Sequence, residues 1–218
     1  MRLLSINVGT PQALNHNGKT VQSSIVKTPI TGSALLGYDN IVGNNQADLI
    51  HHGGPDRAVY AYGLNHYAHW QQWLGASNRL TYGSLGENLS FSNLNESTLC
   101  IGDELTIGEA VLAVSQFRVP CFKLGAKFER QDMPAAFTQY AHTGAYFKVL
   151  KAGPLEAGSA ITVSHKNSNG VALKSLFEAW FKPKTHANNA LLKRALKVDH
   201  LSSEWRAKIA SRLANVQK

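Results

Sequence analysis

At 218 residues and 23.7 kDa, the chain is long enough for one sizeable core plus an appendage. Its 44% hydrophobic and 17% charged content is that of an ordinary soluble globular protein, and no apolar run approaches the length of a membrane span. The net charge of +8 lies wholly at one end: residues 1–165 balance 11 Lys and Arg against 11 acids, whereas residues 166–218 set 11 against 3. That basic tail suits an acidic partner, an anionic ligand or nucleic acid, but no aromatic-studded pattern accompanies it, so a solvated helical face is favoured over a nucleic-acid surface. The opening Met1–Ile6 is too short and too quickly polar for a signal peptide. Two cysteines without an export signal point to free thiols in a reducing cytoplasm.

Residues 1–9 alternate as a strand that Gly9-Thr10-Pro11 ends, and Asn15-His16-Asn17-Gly18 predicts a hairpin turn into a strand over 19–28. The Gly-, Asn- and Asp-containing stretch 31–45 reads as loop-dominated with short extended pieces. After the turn Gly53-Gly54-Pro55-Asp56 comes a strand over 57–62, and Tyr67, Trp70 and Leu74 give 64–74 a helical period. Short strands over 97–101, 104–107 and 110–115, separated by Gly turns, predict a barrel or closed sheet. Helices follow over 121–130 and 134–142, then strands over 146–151 and 160–165. The polar break Lys166-Asn167-Ser168-Asn169-Gly170 marks a domain boundary, leaving 1–165 as the β-rich domain and 171–218 as a small three-helix domain. Its helices are predicted over 172–181, 188–196 and 203–213, the last capped by Ser202-Ser203-Glu204.

Three polar clusters carry the chemistry. The run Ser115-Gln116-Phe117-Arg118-Val119-Pro120-Cys121 places a cysteine where a strand gives way to a helix start. With Arg118, Lys123 and Lys127 nearby, that position favours a thiolate, a nucleophile or soft-metal ligand; a buried helix-start cysteine packed as a small apolar residue weighs equally on spacing alone. The turn His51-His52-Gly53-Gly54-Pro55-Asp56-Arg57 offers imidazoles, backbone N–H groups and a guanidinium to an anion. In Gly83-Ser84-Leu85-Gly86-Glu87-Asn88, close-set glycines allow a ligand near the backbone, and Glu87 and Asn88 suit a heterocycle edge. A zinc site from Cys121, His51 and His52 lacks a spaced fourth ligand. His66 and His69 share a helical face without an acid spaced to join them, which assigns them to the surface. A cysteine-hydrolase pairing of Cys121 with a histidine has no signature to support it.

Taken together, these clusters resemble the MOSC domain, named for the C-terminal domain of molybdenum cofactor sulfurase. The resemblance is closest to stand-alone bacterial members linked to hydroxylaminopurine resistance. It rests on Gly18–Lys27, Asp48–Tyr62, His66-Tyr67, Trp70, Gly86-Glu87-Asn88-Leu89, Ile101-Gly102-Asp103 and Ser115–Leu124. Leu201–Arg206 is similar to the three-helix extension of these members. The resemblance implies a mainly β fold with α, a MOSC β-barrel-like domain followed by three helices, and a molybdopterin-type molybdenum cofactor without pyridoxal phosphate. It makes Cys121 the catalytic residue and metal ligand, and makes Lys27, His51, His52, Asp56, Arg57, Glu87, Asn88, Ser115, Gln116 and Arg118 the cofactor pocket. Phe117 departs from the proline more usual before Arg118. The activity implied is reduction of N-hydroxylated compounds with electrons from a separate reductase, since no flavin, nicotinamide or Fe–S motif is visible. A non-enzymatic cofactor carrier or sulfur-handling module is the competing reading. The oligomeric state stays open, with a dimer among the options.

Overall fold

The computed structural model describes residues 1–49, 53–183 and 185–215 of the chain. The start of the chain forms β1 (Leu3–Val8), in which a register shift between Leu3 and Ser5 breaks the alternation and lets both Leu3 and Ile6 enter the core. The hairpin β2 (Gln12–His16) and β3 (Lys19–Ser23) turns at Asn17 and Gly18, both at positive φ, the geometry for which Asn-Gly is suited. Next come β4 (Thr28–Pro29), β5 (Ser33–Leu36), the wholly buried β6 (Val59–Gly63) and helix α1 (Tyr67–Leu74), which buries Trp70 and Leu74. The middle of the chain supplies β7 (Leu89–Phe91), β8 (Glu104–Ile107) and β9 (Ala110–Phe117), then α2 (Phe122–Phe128) and α3 (Met133–Tyr140). Three strands, β10 (Ala145–Lys151), β11 (Gly153–Glu156) and β12 (Ile161–His165), precede α4 (Leu173–Phe181), α5 (His186–Ala195) and α6 (Ser203–Ala214). No helix among the described residues is long and apolar enough to cross a membrane.

The expected β-barrel does not form. Eight strands make an open sheet in the order β12-β8-β9-β10-β6-β7-β1-β4, while β11-β5 and β2-β3 form separate two-stranded ladders. The number of short strands and Gly turns set the strand content but not the closure. One edge, β4, is two residues long and contains Pro29, which has no N–H to donate. The other edge, β12, is solvent-exposed beyond Ile161. Backbone bonds from Leu3 to Ser159 (3.0 Å) and from Ile161 to Met1 (2.9 Å) tie one corner of the sheet without making a ladder. The strand expected over 97–101 is also absent. Asn95 closes a turn there by accepting the Leu99 N–H, and the Asp103 carboxylate takes the Cys100 N–H (2.8 Å), so only an isolated bridge to Ala172 remains.

The long antiparallel pair β9–β10 is the spine, and β6 joins β10 with Tyr60 opposite Tyr146. One apolar cluster runs without a break from Leu3 and Phe91 through Phe117 and Phe147 to Phe177, Leu192 and Trp205, so the three C-terminal helices pack on the same core as the sheet. A second cluster, with Tyr62, Trp70, Leu124 and Phe137, seats α1, α2 and α3 at the end of the sheet where β9 stops. Ser202 caps α6 by accepting the Trp205 N–H, as its place before Ser203-Glu204 predicts.

Candidate functional site

Where β9 ends, the chain leaves the sheet at Phe117 and enters α2 at Phe122. The intervening Arg118, Val119 and Cys121 line a cavity that opens to solvent. Tyr60 of β6 and Tyr146 of β10 form its back wall, and Ser24, Ile25 and Lys27 reach it from the segment after β3. Asn44, Asp48, Arg57, Gly86, Asn88 and Lys123 complete most of the rim. Four cations (Lys27, Arg57, Arg118 and Lys123) thus face one carboxylate, that of Asp48. Cys121 is a half-buried free thiol, not a sealed core residue.

Arg118 is the most firmly aimed of the cations. It is 6% exposed, donates from Nη1 to the Leu85 carbonyl (2.5 Å) and lies 4.7 Å from the centre of the Tyr60 ring. Burial alone would weaken its hold on the proton, but the Tyr60 and Tyr146 hydroxyls and the Cys121 sulfur outweigh this and hold it above the usual guanidinium range. Phe117, the departure from proline, is fixed from behind by the rings of Trp205 (4.3 Å) and Phe177 (5.2 Å). Helix packing therefore supplies the rigidity that a proline ring would supply locally.

Lys27 donates to Asn44 Oδ1 (2.7 Å), and that oxygen also takes the Gly9 N–H (3.0 Å). Burial lowers the Lys27 ammonium to about 8; Glu87 opposes the shift while Lys127 and Arg118 add to it. Arg57 is paired with Glu204 at the start of α6. Asp56 accepts the Ser203 N–H (2.9 Å) and hydroxyl (3.1 Å) and meets Lys148 at 2.9 Å. Burial raises the Asp56 carboxyl, but Ser203 and Lys148 bring it below its ordinary value.

The remaining expected residues divide. Asn88 lines the cavity and fixes β6 by accepting the Tyr60 N–H (3.3 Å). Glu87 stands behind the wall at 0% exposure, its carboxylate taken by the Gly83 N–H (2.8 Å), the Ser90 hydroxyl (2.8 Å), the Leu85 N–H (3.2 Å) and the Tyr67 hydroxyl. It shapes the Gly83–Gly86 turn and offers no edge to a ligand in this arrangement. Ser115 holds the 55–57 turn against β10, its hydroxyl 2.5 Å from the Asp56 carbonyl and 3.0 Å from that of Tyr146. Gln116 is buried away from the cavity lining, and its Oε1 has no partner. His51 and His52 lie outside the described residues.

Three further features of the cavity bear on what it could hold. The Ser24 hydroxyl is buried in the lining without a hydrogen-bond partner. Gly86, at φ 88°, leaves a cradle: a Cβ there would come within 2.9 Å of Ile25 Cγ1 and 3.6 Å of Arg118 Nη2. Beside both stands a soft sulfur donor among cations. A metal carried by an anionic, oxygen-rich organic ligand fits that donor set.

A second polar concentration lies among α1, α3 and the loops after β7 and α3. His66, Glu96 and His142 meet there, in conflict with the surface role expected for His66. His66 is 6% exposed, and its acid comes from thirty residues further along the chain, so no local spacing announces it. Asn44 and Tyr146 likewise escape a sequence reading, because each sits in a segment without a polar motif. Ser24 and Tyr60 had a signal nearby, since they lie in the stretches 18–27 and 48–62 that carry the family resemblance.

These features define a cation-rich cavity whose lining includes a free thiol, built where β9 ends. Residues 48–162 match the MOSC domain and residues 183–216 match the YiiM-like, 3-alpha helix domain, so the chain belongs to the MOSC-domain family and carries the YiiM-like extension. It is similar to YflK of Bacillus subtilis (strain 168), with 37% identity over 94% of this chain and 91% of that protein. The crystal structure of YiiM from Geobacillus stearothermophilus superposes with a TM-score of 0.79 at 29% identity, over 97% of this chain and 98% of that one. A Gibberella moniliformis (strain M3125 / FGSC 7600) protein named "Reductase" is 33% identical over 67% of this chain, a region that makes up 26% of its own length.

Proposed function

We propose that this protein is a molybdenum-cofactor enzyme that reduces N-hydroxylated compounds. The observation that carries the reading is the lining of one cavity by the Cys121 thiol together with Lys27, Arg57, Arg118 and Lys123. Cys121 is the ligand to the metal, Arg118 and Lys27 receive the anionic part of the cofactor, and Asn88, the Gly86 cradle and the Ser24 hydroxyl take its heterocycle. When bound, molybdenum in such a cofactor supplies two-electron chemistry and accepts oxygen.

Cleaving an N–OH bond to give the amine and water consumes two electrons and two protons. Lys27, brought to about 8, is the group able to deliver a proton in the cavity near neutral pH. Arg118 keeps its charge throughout and orients the anion, while Tyr60 and Tyr146 exclude water from the back wall. The electrons come from a separate reductase. The relative named "Reductase", only a quarter of which resembles this chain, supports a redox role for this kind of domain. A reducing compartment such as the cytoplasm keeps Cys121 free.

The test is metal and pterin analysis of protein made in cofactor-competent and cofactor-deficient hosts, with turnover of a hydroxylaminopurine by a reconstituted donor. The wild type should hold molybdenum only from the competent host, and Cys121→Ser should lose it together with turnover. Equal molybdenum in the variant and the wild type would remove the ligand assignment. Cofactor loading without turnover would make the protein a carrier.

A further inference from the structure

The His66–Glu96–His142 cluster stands apart from the cavity, none of its residues being in that lining. His66 enters at the turn before α1, Glu96 from the loop after β7, and His142 from the loop between α3 and β10. Both rings address one oxygen: His66 Nε2 lies 3.1 Å and His142 Nδ1 2.9 Å from Glu96 Oε2. The other oxygen, Oε1, accepts the Gly144 N–H at 3.1 Å. The ligand atoms of the three residues lie within 4.8 Å of one another, and the two rings are 4.5 Å apart.

Two donors held about 2.1 Å from one ion, at right-angled to tetrahedral geometry, are about 3.0–3.4 Å apart. The 2.9 and 3.1 Å separations here are close to that chord, so little movement brings the atoms to a common ion. The outer nitrogens complete the description. His66 Nδ1 is 2.9 Å from the Tyr140 hydroxyl, and His142 Nε2 is 2.8 Å from Lys174 Nζ. An ammonium only donates, so His142 Nε2 accepts and Nδ1 carries the proton that is shared with Glu96. We propose that His66, Glu96 and His142 form a second metal site, for a divalent ion of the zinc class, and that Lys174 is the residue displaced when the ion binds.

The displacement follows from proton positions. An ion on His142 Nδ1 moves that ring's proton to Nε2, where a lysine ammonium cannot receive it. On His66 the same exchange puts the proton on Nδ1, facing the Tyr140 oxygen, which can accept it. No proton leaves the protein, and Lys174 is the cation that must move. Its side chain reaches the cluster from the first turn of α4, whose backbone stays tied to the Glu96 carbonyl through the Lys174 N–H (2.9 Å). A bound ion therefore changes how α4 meets the sheet domain without undocking it. This site does not depend on the molybdenum reading.

The test is Co²⁺ titration, followed by visible absorption, of the untagged full chain carrying Cys100→Ser and Cys121→Ser, with Zn²⁺ competition for affinity. One equivalent should bind with a spectrum of nitrogen and oxygen donors and no thiolate band. Adding Glu96→Gln should weaken binding by roughly a hundredfold, as loss of a metal-site group does. Lys174→Gln leaves all three ligands in place and offers an acceptor to His142 Nε2, so it should tighten binding by about tenfold through removal of an opposing charge. The proposal is overturned if the cysteine-free protein takes up no stoichiometric ion, if Glu96→Gln binds as well as its parent, or if Lys174→Gln leaves affinity unchanged. Because Lys174→Gln must improve binding, misfolding cannot imitate the expected result.

Discussion

The cavity at the end of β9 and the imidazole cluster around Glu96 are polar concentrations built with opposite sign. At the end of β9, cations gather around an open cavity, with one carboxylate in the lining and a serine hydroxyl left without a partner. Around Glu96, a carboxylate gathers imidazoles, and hydrogen bonds occupy both of its oxygens. Burial acts on both in the same direction, against charge, but the outcomes differ. Lys27 falls to about 8 through burial above all, a shift that the Glu87 charge opposes and the neighbouring cations Lys127 and Arg118 reinforce. Burial likewise opposes the Glu96 charge, yet the His142 and His66 hydrogen bonds bring its carboxyl down to about 2. The first region gathers more positive than negative charge in one lining, and the second presents lone pairs suited to a cation.

The largest expected effect separates the two through packing. Phe117 braces Arg118 against the rings of Trp205 and Phe177, and its ring contacts include neither His66 nor His142. Phe117→Ala should cost about 3–5 kcal/mol in stability, the usual range for emptying a buried aromatic site. Denaturant melts would measure it, and the surviving folded protein should bind molybdate more weakly while keeping its Co²⁺ affinity at the cluster. Equal loss at both sites would mean that the regions are one cooperative unit.

This pairing of Phe117 with the C-terminal helices also shows what a linear reading can reach. Arg118 and Cys121 are legible because Pro120 and the change from strand to helix stand beside them, and Lys27 because its segment resembles a family stretch. The helical period beyond Gly170 and the Ser202 cap are legible for the same local reason. The closure of the sheet is not, because strand content says nothing about which edges meet, and a two-residue edge strand containing Pro29 is visible only once paired. Glu87 looked like a ligand because it follows a glycine turn, but the turn's own N–H groups consume its carboxylate. The imidazole cluster joins residues 66, 96 and 142 through tertiary packing alone.

A smaller effect concerns pH. The Lys27 value of about 8 lies below the ordinary 10.5, so the folded protein loses this proton while the unfolded chain keeps it. Between those values the unfolded state binds more protons, and stability should rise with pH. Molybdate affinity should move the other way, falling by up to about tenfold from pH 8 to pH 9 as the ammonium discharges. Lys27→Met should flatten the affinity profile. It should remove only part of the stability rise, because burial also lowers Lys127 to about 8, behind the cavity lining. Calorimetric titration with molybdate at pH 7, 8 and 9 measures the first quantity, and melts over the same range measure the second. A pH-independent affinity in the wild type would take Lys27 out of the anion's reach.

The smallest effect is the sharpest in sign. Ser24 Oγ is buried in the cavity wall with no partner, so the free protein gains nothing from it and bears the cost of its desolvation. Ser24→Ala should leave the ligand-free protein as stable as before or more stable by about 0.5–1 kcal/mol, unlike the usual loss when a bonded serine is truncated. If the hydroxyl waits for the bound group, the same change should weaken cofactor retention several-fold, measured as pterin released during dialysis. Stability and retention would then move in opposite directions, as expected where an unpaired polar atom serves a ligand. Should both fall together, the hydroxyl has a partner within the protein itself, and the contrast between an unsatisfied cavity and a satisfied cluster narrows to a difference of charge.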